Sequence, residues 1–514
     1  MLFKPGTIAF ISILGLLTPG VSAVTHAKSK KHRKSRKRAA KSYVAMVPPA
    51  VRASNVFELR KAMQSGGGAS AFENESALVP FFHQLYRAHG EGRPLHILQF
   101  GDSHTASDDW TNAMRNALQT RFGDGGPGFA DPGHPYRGYR NFRVPSGNST
   151  GWHTEGTIRS PGDGREGLGG ISLTTSSSGE SVWMRAEGDE LELFFLRQPG
   201  GGQLTFLVDG QAESAVSTNG PLGPGYFAYE PPPGVHTFEI QTVSADPVRL
   251  FGWVLQNRIG VTYETLGING AQADLVATWD ESTFGPQLQR RDPALIVFAY
   301  GTNEALSPRF TVAGYRAGFA EALARLRRAS ATASILVIGP PDCWLKRKGR
   351  LVPFPHMEQV IEIQREIAAQ RRCAFWDWRR RMGGEGSKRR WVMAGLAQVD
   401  YVHFTSTGYQ VIGNTLCADL MDLYNVFVSD QKQAKVTDEQ KILSALKAVT
   451  KNEAVPGNDE SLFDSGYLDS FALPDLVSEL EKQFGITIPD SDLNPRKFES
   501  VSRIEAYVLG KKAN

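Results

Sequence analysis

Leu95-His96-Ile97-Leu98-Gln99-Phe100-Gly101-Asp102-Ser103-His104 is the stretch that decides the fold. Its first six residues form a short apolar run, with the length and composition of a buried strand. Its last four place a glycine, a carboxylate, a hydroxyl and an imidazole where that strand stops. Asp109 to Phe122 then reads as a helix. A strand that ends in polar residues and feeds a helix is the building unit of a parallel α/β sheet. In such a sheet, residues that handle ligands collect at the carboxyl ends of the strands.

The same rhythm recurs downstream. Ala294 to Tyr300, Ser334 to Ile338 and Ala374 to Trp378 read as strands, and Tyr315 to Arg328, Met357 to Arg371 and Thr407 to Val426 as helices. Upstream, Phe57 to Met63 and Ala77 to His89 carry helical apolar spacing. Between the two halves, Gly123 to about Thr262 is rich in Gly, Pro and Ser. Its runs (Val182 to Ala186, Leu191 to Leu196, Leu204 to Val208, His236 to Val243, Val248 to Leu255) read as strands with almost no helical period. The expected organisation is an α/β domain at 54–125 and 262–428 interrupted by a β-sandwich at 126–261. A helical unit at 436–514 follows, joined by a polar linker, Gln431 to Lys435.

Four polar clusters fall at expected strand ends: Gly101-Asp102-Ser103-His104, Gly267-Ile268-Asn269-Gly270, Gly301-Thr302-Asn303-Glu304 and Asp400-Tyr401-Val402-His403. Together they suit acyl transfer. Ser103 is the candidate nucleophile and His403 the base that takes its proton and returns it to the leaving group. Asp400, three residues earlier, would hold the imidazole in one tautomer. The Ser103 N–H, the Gly270 N–H and the Asn303 amide are candidate oxyanion donors. Asp102 is read as shaping the nucleophile turn, and His104 and Glu304 as packing or structural groups.

With these blocks in order, the chain resembles the SGNH (GDSL-like) hydrolase family over about 54–125 and 262–426. The wording Gly267-Ile268-Asn269-Gly270-Ala271-Gln272, with Trp376-Asp377-Trp378 before Met382-Gly383-Gly384, resembles bacterial O-acetylpeptidoglycan esterases and related wall-polysaccharide enzymes. The resemblance implies an esterase that removes O-acetyl groups from acetylated polysaccharide or peptidoglycan. It also implies a carbohydrate-binding-like role for the β-insert, and admits a membrane-bound O-acyltransferase as a partner. Trp152, Trp183 and Trp253 offer rings to sugars, although buried packing is the commoner use of tryptophan.

Leu462 to Phe471 contains Asp469-Ser470. An amphipathic helix (Leu473 to Phe484), then Gly485-Ile486-Thr487-Ile488-Pro489, then a last helix from Ser502 to Leu509 complete the unit. This resembles acyl and D-alanyl carrier proteins, which implies 4′-phosphopantetheine on Ser470; the alternative is an N-capping serine in an unmodified module. A fused carrier favours a second reading of the enzyme, an O-acyltransferase in which a sugar hydroxyl rather than water resolves the acyl-enzyme. A third, non-enzymatic polysaccharide binder would leave ester turnover absent.

Composition excludes several classes. Nine basic and no acidic residues between Ala27 and Ser42 outweigh the net charge of +4, so the rest of the chain is mildly acidic. A basic arm at 24–53 fits an anionic surface or plain solvation, and nucleic-acid binding is not implied. Cys343, Cys373 and Cys417 have no metal-binding spacing. No metal is expected, and one disulfide is compatible with them. Lys4, the uncharged stretch Thr7 to Leu17 and Val21-Ser22-Ala23 read as a leader at 1–23. A short membrane anchor is the alternative. Export to the periplasm or cell surface conflicts with pantetheine attachment, which is expected in the cytosol.

Overall fold

The computed structural model describes residues 47–65, 67–450 and 455–512. The expected leader and most of the basic arm lie outside them. The arm was expected to run to residue 53, but the first helix already starts at Pro49 and runs to Gln64. Proline at the first helical position presets φ and sacrifices no hydrogen bond.

A six-stranded sheet forms the centre: β1 (Phe72–Glu73), β2 (Pro94–Gly101), β3 (Gly260–Gly267), β4 (Leu295–Ala299), β5 (Ser334–Ile338) and β6 (Ala374–Trp376). Its spatial order is β1-β6-β5-β4-β2-β3; all neighbours are parallel except β1, which is antiparallel to β6. The alternation in β2 decides which side each residue serves. Leu95 and Ile97 enter one core, with Trp110, Leu118 and Leu416. Leu98 and Phe100 enter the other, with Phe284, Phe319 and Ile361. Truncating one such ring to alanine costs about 3–5 kcal/mol.

Gly101, Gly267 and Ala299 stand level with one another at the carboxyl ends of three adjacent strands. Three of the four polar clusters therefore leave the sheet side by side. Glycine is required at 101, because a Cβ there would lie 2.1 Å from Thr105 Oγ1 and 2.8 Å from the Ala299 carbonyl.

The insertion is a two-sheet β-sandwich. One sheet runs Gln211–Ser217, Gln203–Val208, Val235–Thr242, Ser181–Glu187, Ser146–Asn148. The other runs Gly223–Tyr229, Glu190–Arg197, Val248–Gln256, Ser172–Thr175, His153–Glu155. Its last strand ends at Gln256 and β3 begins at Gly260, slightly before residue 262. Trp253 and Trp152 are buried in the sandwich core, so they pack rather than face a ligand. Trp183 is half-buried and covers Gly147. Buried ion pairs lock β3 in place: Arg115 to Asp108 at 2.9 Å, with Arg115 Nε also donating to the Tyr263 carbonyl, and Arg291 to Glu264 at 2.5 Å.

The expected linker is corrected. Ser406–Thr450 is one continuous helix, and Gln431 to Lys435 lie inside it. Gln-Lys-Gln-Ala-Lys contains strong helix formers and no Gly or Pro, so polarity marked exposure rather than a break. The helix ends in the carrier-like unit, where Ile442, Ala445 and Leu446 share a core with Leu476, Leu480 and Ile504. The three cysteines are free and buried. Among the described residues no helix is long and apolar enough to cross a membrane.

Candidate active site

Ser103 opens a short helix, Ser103–Ala106, directly after β2. Asp102 turns the chain: its extended backbone caps the helix, and its buried carboxylate accepts the His104 N–H at 2.9 Å and the Thr302 hydroxyl. Burial is the dominant effect on that carboxyl and pushes its pKa up to about 6 despite these bonds.

His403 arrives from a loop three hundred residues later, and its Nε2 lies 2.9 Å from Ser103 Oγ. Its Nδ1 lies 2.9 Å from Asp400 Oδ2. A carboxylate only accepts, so Nδ1 carries the proton and Nε2 is left as acceptor for the serine hydroxyl. Asp400 Oδ1 takes the backbone N–H groups of Val402 and His403 at 2.9 and 3.0 Å. Tyr401, at φ 62°, makes the left-handed step that folds the loop back on the carboxylate. Burial alone would raise the Asp400 pKa. The hydrogen bond and charge of His403 with the two backbone N–H groups outweigh it and hold the carboxyl below its ordinary value.

Two residues behind the imidazole escaped the sequence reading. The buried Lys388 donates from Nζ to the Val402 carbonyl at 2.7 Å and lies over the Phe404 ring. Burial depresses its pKa to about 8. Tyr409 bonds Nδ1 of His104 at 2.8 Å. The His104 ring packs against His403, Trp378 and Phe404, and burial, then the neighbouring charges of His403 and Lys388, hold its pKa well below the ordinary value. His104 is thus a buried packing group behind His403, as the sequence suggested.

The second and third clusters leave the strands that flank β2; Asn269 lines the cleft with Ser103, and Gly270 lines a separate cavity with Glu304. Ile268 N–H bonds the Gly101 carbonyl at 3.0 Å, which ties the second cluster to the first. Gly270 is exposed at φ 82°, a conformation natural to glycine. Asn303 spends one amide proton on the Ala271 carbonyl at 2.8 Å, which fixes the third cluster to the second. Glu304 is buried, accepts the Ala273 N–H at 2.8 Å, and burial raises its pKa to about 8. A cleft of about 390 Å³ opens over Ser103 and His403, lined also by Asn269, Arg140, Gln398 and Tyr409. Arg140 comes from the irregular loop that leads into the sandwich and pairs with Asp109 at 3.4 Å. It had no sequence signal, because an irregular loop has no period.

Glu155, Asp163 and Glu166 bring carboxylate oxygens within 4.8 Å of one another. Arg249 pairs with two members of this group, at 2.9 Å from Glu155 and 2.6 Å from Asp163.

Ser470 is exposed, just before the helix Leu473–Phe484. Asp469 Oδ1 accepts the N–H groups of Phe471 and Ala472 at 2.9 and 2.8 Å, and the serine is left facing solvent. An exposed hydroxyl at the positive end of a helix suits attachment of a phosphate-linked arm.

Comparison with known proteins agrees with both units. Residues 241–411 match the GDSL-like lipase/acylhydrolase family, and residues 440–508 match the phosphopantetheine attachment site. A solved peptidoglycan O-acetylesterase superposes with a TM-score of 0.58 at 28% identity, over 68% of this chain and 96% of the other. The C-terminal unit is 35% identical over 69 residues to the D-alanyl carrier protein of Streptococcus uberis, covering 13% of this chain and 87% of that protein. It is 36% identical over 67 residues to D-alanyl carrier protein 2 of Lactiplantibacillus plantarum, covering 13% and 84%. The chain therefore joins an SGNH-type (GDSL-like) esterase domain to a C-terminal domain that belongs to the D-alanyl carrier proteins, the kind that receives 4′-phosphopantetheine.

Proposed function

We propose that the protein removes O-acetyl groups from a cell-wall or extracellular polysaccharide through an acyl-enzyme on Ser103. The observation that carries this reading is the unbroken Ser103–His403–Asp400 chain of hydrogen bonds, 2.9 Å at each link, under an open cleft. His403 Nε2 takes the serine proton as Oγ attacks the ester carbonyl, then gives it to the departing sugar hydroxyl. Asp400 stays ionised at neutral pH and stabilises the imidazolium that forms between the two steps. The Ser103 and Gly270 N–H groups and the remaining amide proton of Asn303 hold the oxyanion. Water, activated by the same imidazole, releases acetate.

Support for the polymer comes from the peptidoglycan O-acetylesterase likeness and from the sandwich, whose Arg140 arm flanks the cleft. Export belongs to the same reading and rests on the leader-like stretch outside the described residues.

The fused carrier unit favours a second reading, acyl transfer to a sugar hydroxyl from the same Ser103 intermediate. Acetylated peptidoglycan or oligosaccharide, and separately an aryl acetate with an unacetylated oligosaccharide, distinguish the two. Free acetate alone supports the esterase; acetylated oligosaccharide supports the transferase; neither product contradicts both.

A further inference from the structure

The cleft and Ser470 lie toward opposite ends of one helix. Ser406, its first residue, lines the cleft with Ser103 and donates to Asp109 Oδ1 at 2.5 Å. The helix stays packed on the hydrolase core as far as Val428. From Ser429 to Thr437 it is exposed all round, apart from the half-buried Gln431. Packing resumes at Asp438, which takes Lys512 Nζ at 2.9 Å. A polar, Gly-free and Pro-free helical stretch between two cores is a solvent-bridging strut.

The direction of the carrier unit follows from its own contacts. Lys441 and Lys512 lie over the Phe484 ring at 5.3 and 4.7 Å, so the end of Leu473–Phe484 sits level with residue 441. Leu473, Leu476 and Leu480 share their core with Ile442, Ala445 and Leu446, and the carrier unit reaches back before Asp438 only by the Lys435–Glu505 pair at 3.8 Å, so the other end of that helix runs on toward Thr450, and Ser470 with it. From Ser406 to Lys441 the axis measures roughly 50 Å at 1.5 Å per residue. A pantetheine arm is about as long as five extended residues, roughly 17 Å. The gap exceeds the arm by about 30 Å.

We propose that this helix is a spacer that keeps a group carried on Ser470 out of reach of Ser103 in the same chain. The carrier unit accordingly serves a site on another molecule, either a second copy or a separate acyl-handling enzyme. The inference rests on Ser103 as nucleophile and on Ser470 as attachment point.

The native cysteines are free and buried, so nitroxide labels on Asn269→Cys and Phe471→Cys in the full chain report selectively. The expected distance distribution lies wholly beyond about 40 Å. A population under about 20 Å, within reach of the arm, overturns the spacer. The second measurement follows release of an acyl group carried by the full chain at Ser470 over a hundredfold range of protein concentration. Release per molecule that rises with concentration supports the proposal through a second copy. No Ser103-dependent release supports it through a separate enzyme. Release that is independent of concentration and lost in Ser103→Ala overturns it. Aryl acetate cleavage that survives Ser103→Ala would instead remove the nucleophile assignment, and the label distances would still test the spacer.

Discussion

Two serines in this chain introduce helices, and they have opposite surroundings. Ser103 faces an imidazole at 2.9 Å, which in turn faces a carboxylate at 2.9 Å. Ser470 faces water, and the neighbouring Asp469 uses its carboxylate on the backbone instead. In the proposed mechanism the same hydroxyl chemistry serves two ends. A base and an oriented partner make a serine a nucleophile, while exposure at a helix start makes it an attachment point for another enzyme to modify.

The contrast breaks most sharply by substitution. Ser103→Ala or His403→Ala is expected to lower kcat/KM on an aryl acetate by roughly 10³- to 10⁶-fold, and the double variant no further, because the pair acts as a unit. Ser470→Ala should leave that rate within about twofold and abolish the pantetheine mass increment. Steady-state kinetics and intact-protein mass spectrometry check both; comparable kinetic losses at the two serines would erase the distinction. Asp400→Asn should cost roughly 10²- to 10⁴-fold, since it frees the imidazole to adopt the wrong tautomer.

A smaller effect sharpens the Ser103 side. Lys388 holds the carbonyl next to His403. Lys388→Met is expected to lower kcat by roughly ten- to hundredfold with KM little changed, as the imidazole drifts from the serine. A change in KM alone would assign the lysine to substrate binding.

The smallest effect is in stability. Burial raises the Glu304 pKa to about 8, so its folded form holds a proton that the unfolded chain releases near 4.5. Its stabilising share is full below about pH 4.5 and is lost as pH rises through about 8. Glu304→Gln has no such loss, so its melting temperature should gain on the parent between pH 5 and pH 8. A difference that stays flat with pH would mean that Glu304 is ionised in the fold.

The sequence made the chemistry legible where it is local. Asp400-x-x-His403 and Gly101-Asp102-Ser103-His104 carry their meaning within four residues, and hydrophobic runs announced β2, β4 and β5. It misled where one signal has two physical causes. Gln431 to Lys435 is polar because the helix is largely exposed there, and a disordered linker would look the same. Lys388, Tyr409 and Arg140 were silent, because their meaning comes from residues brought close by the fold. Lys388 matters only because Val402 and Phe404 close over it.

The proposed mechanism requires the imidazole of His403 to make Ser103, and no other serine, the nucleophile. Peptide mass spectrometry after brief exposure to a serine-directed phosphonate ester decides this. A single adduct on Ser103, lost in His403→Ala, is the expected result. An adduct on a different residue, or one on Ser103 that forms equally fast without the imidazole, would contradict it.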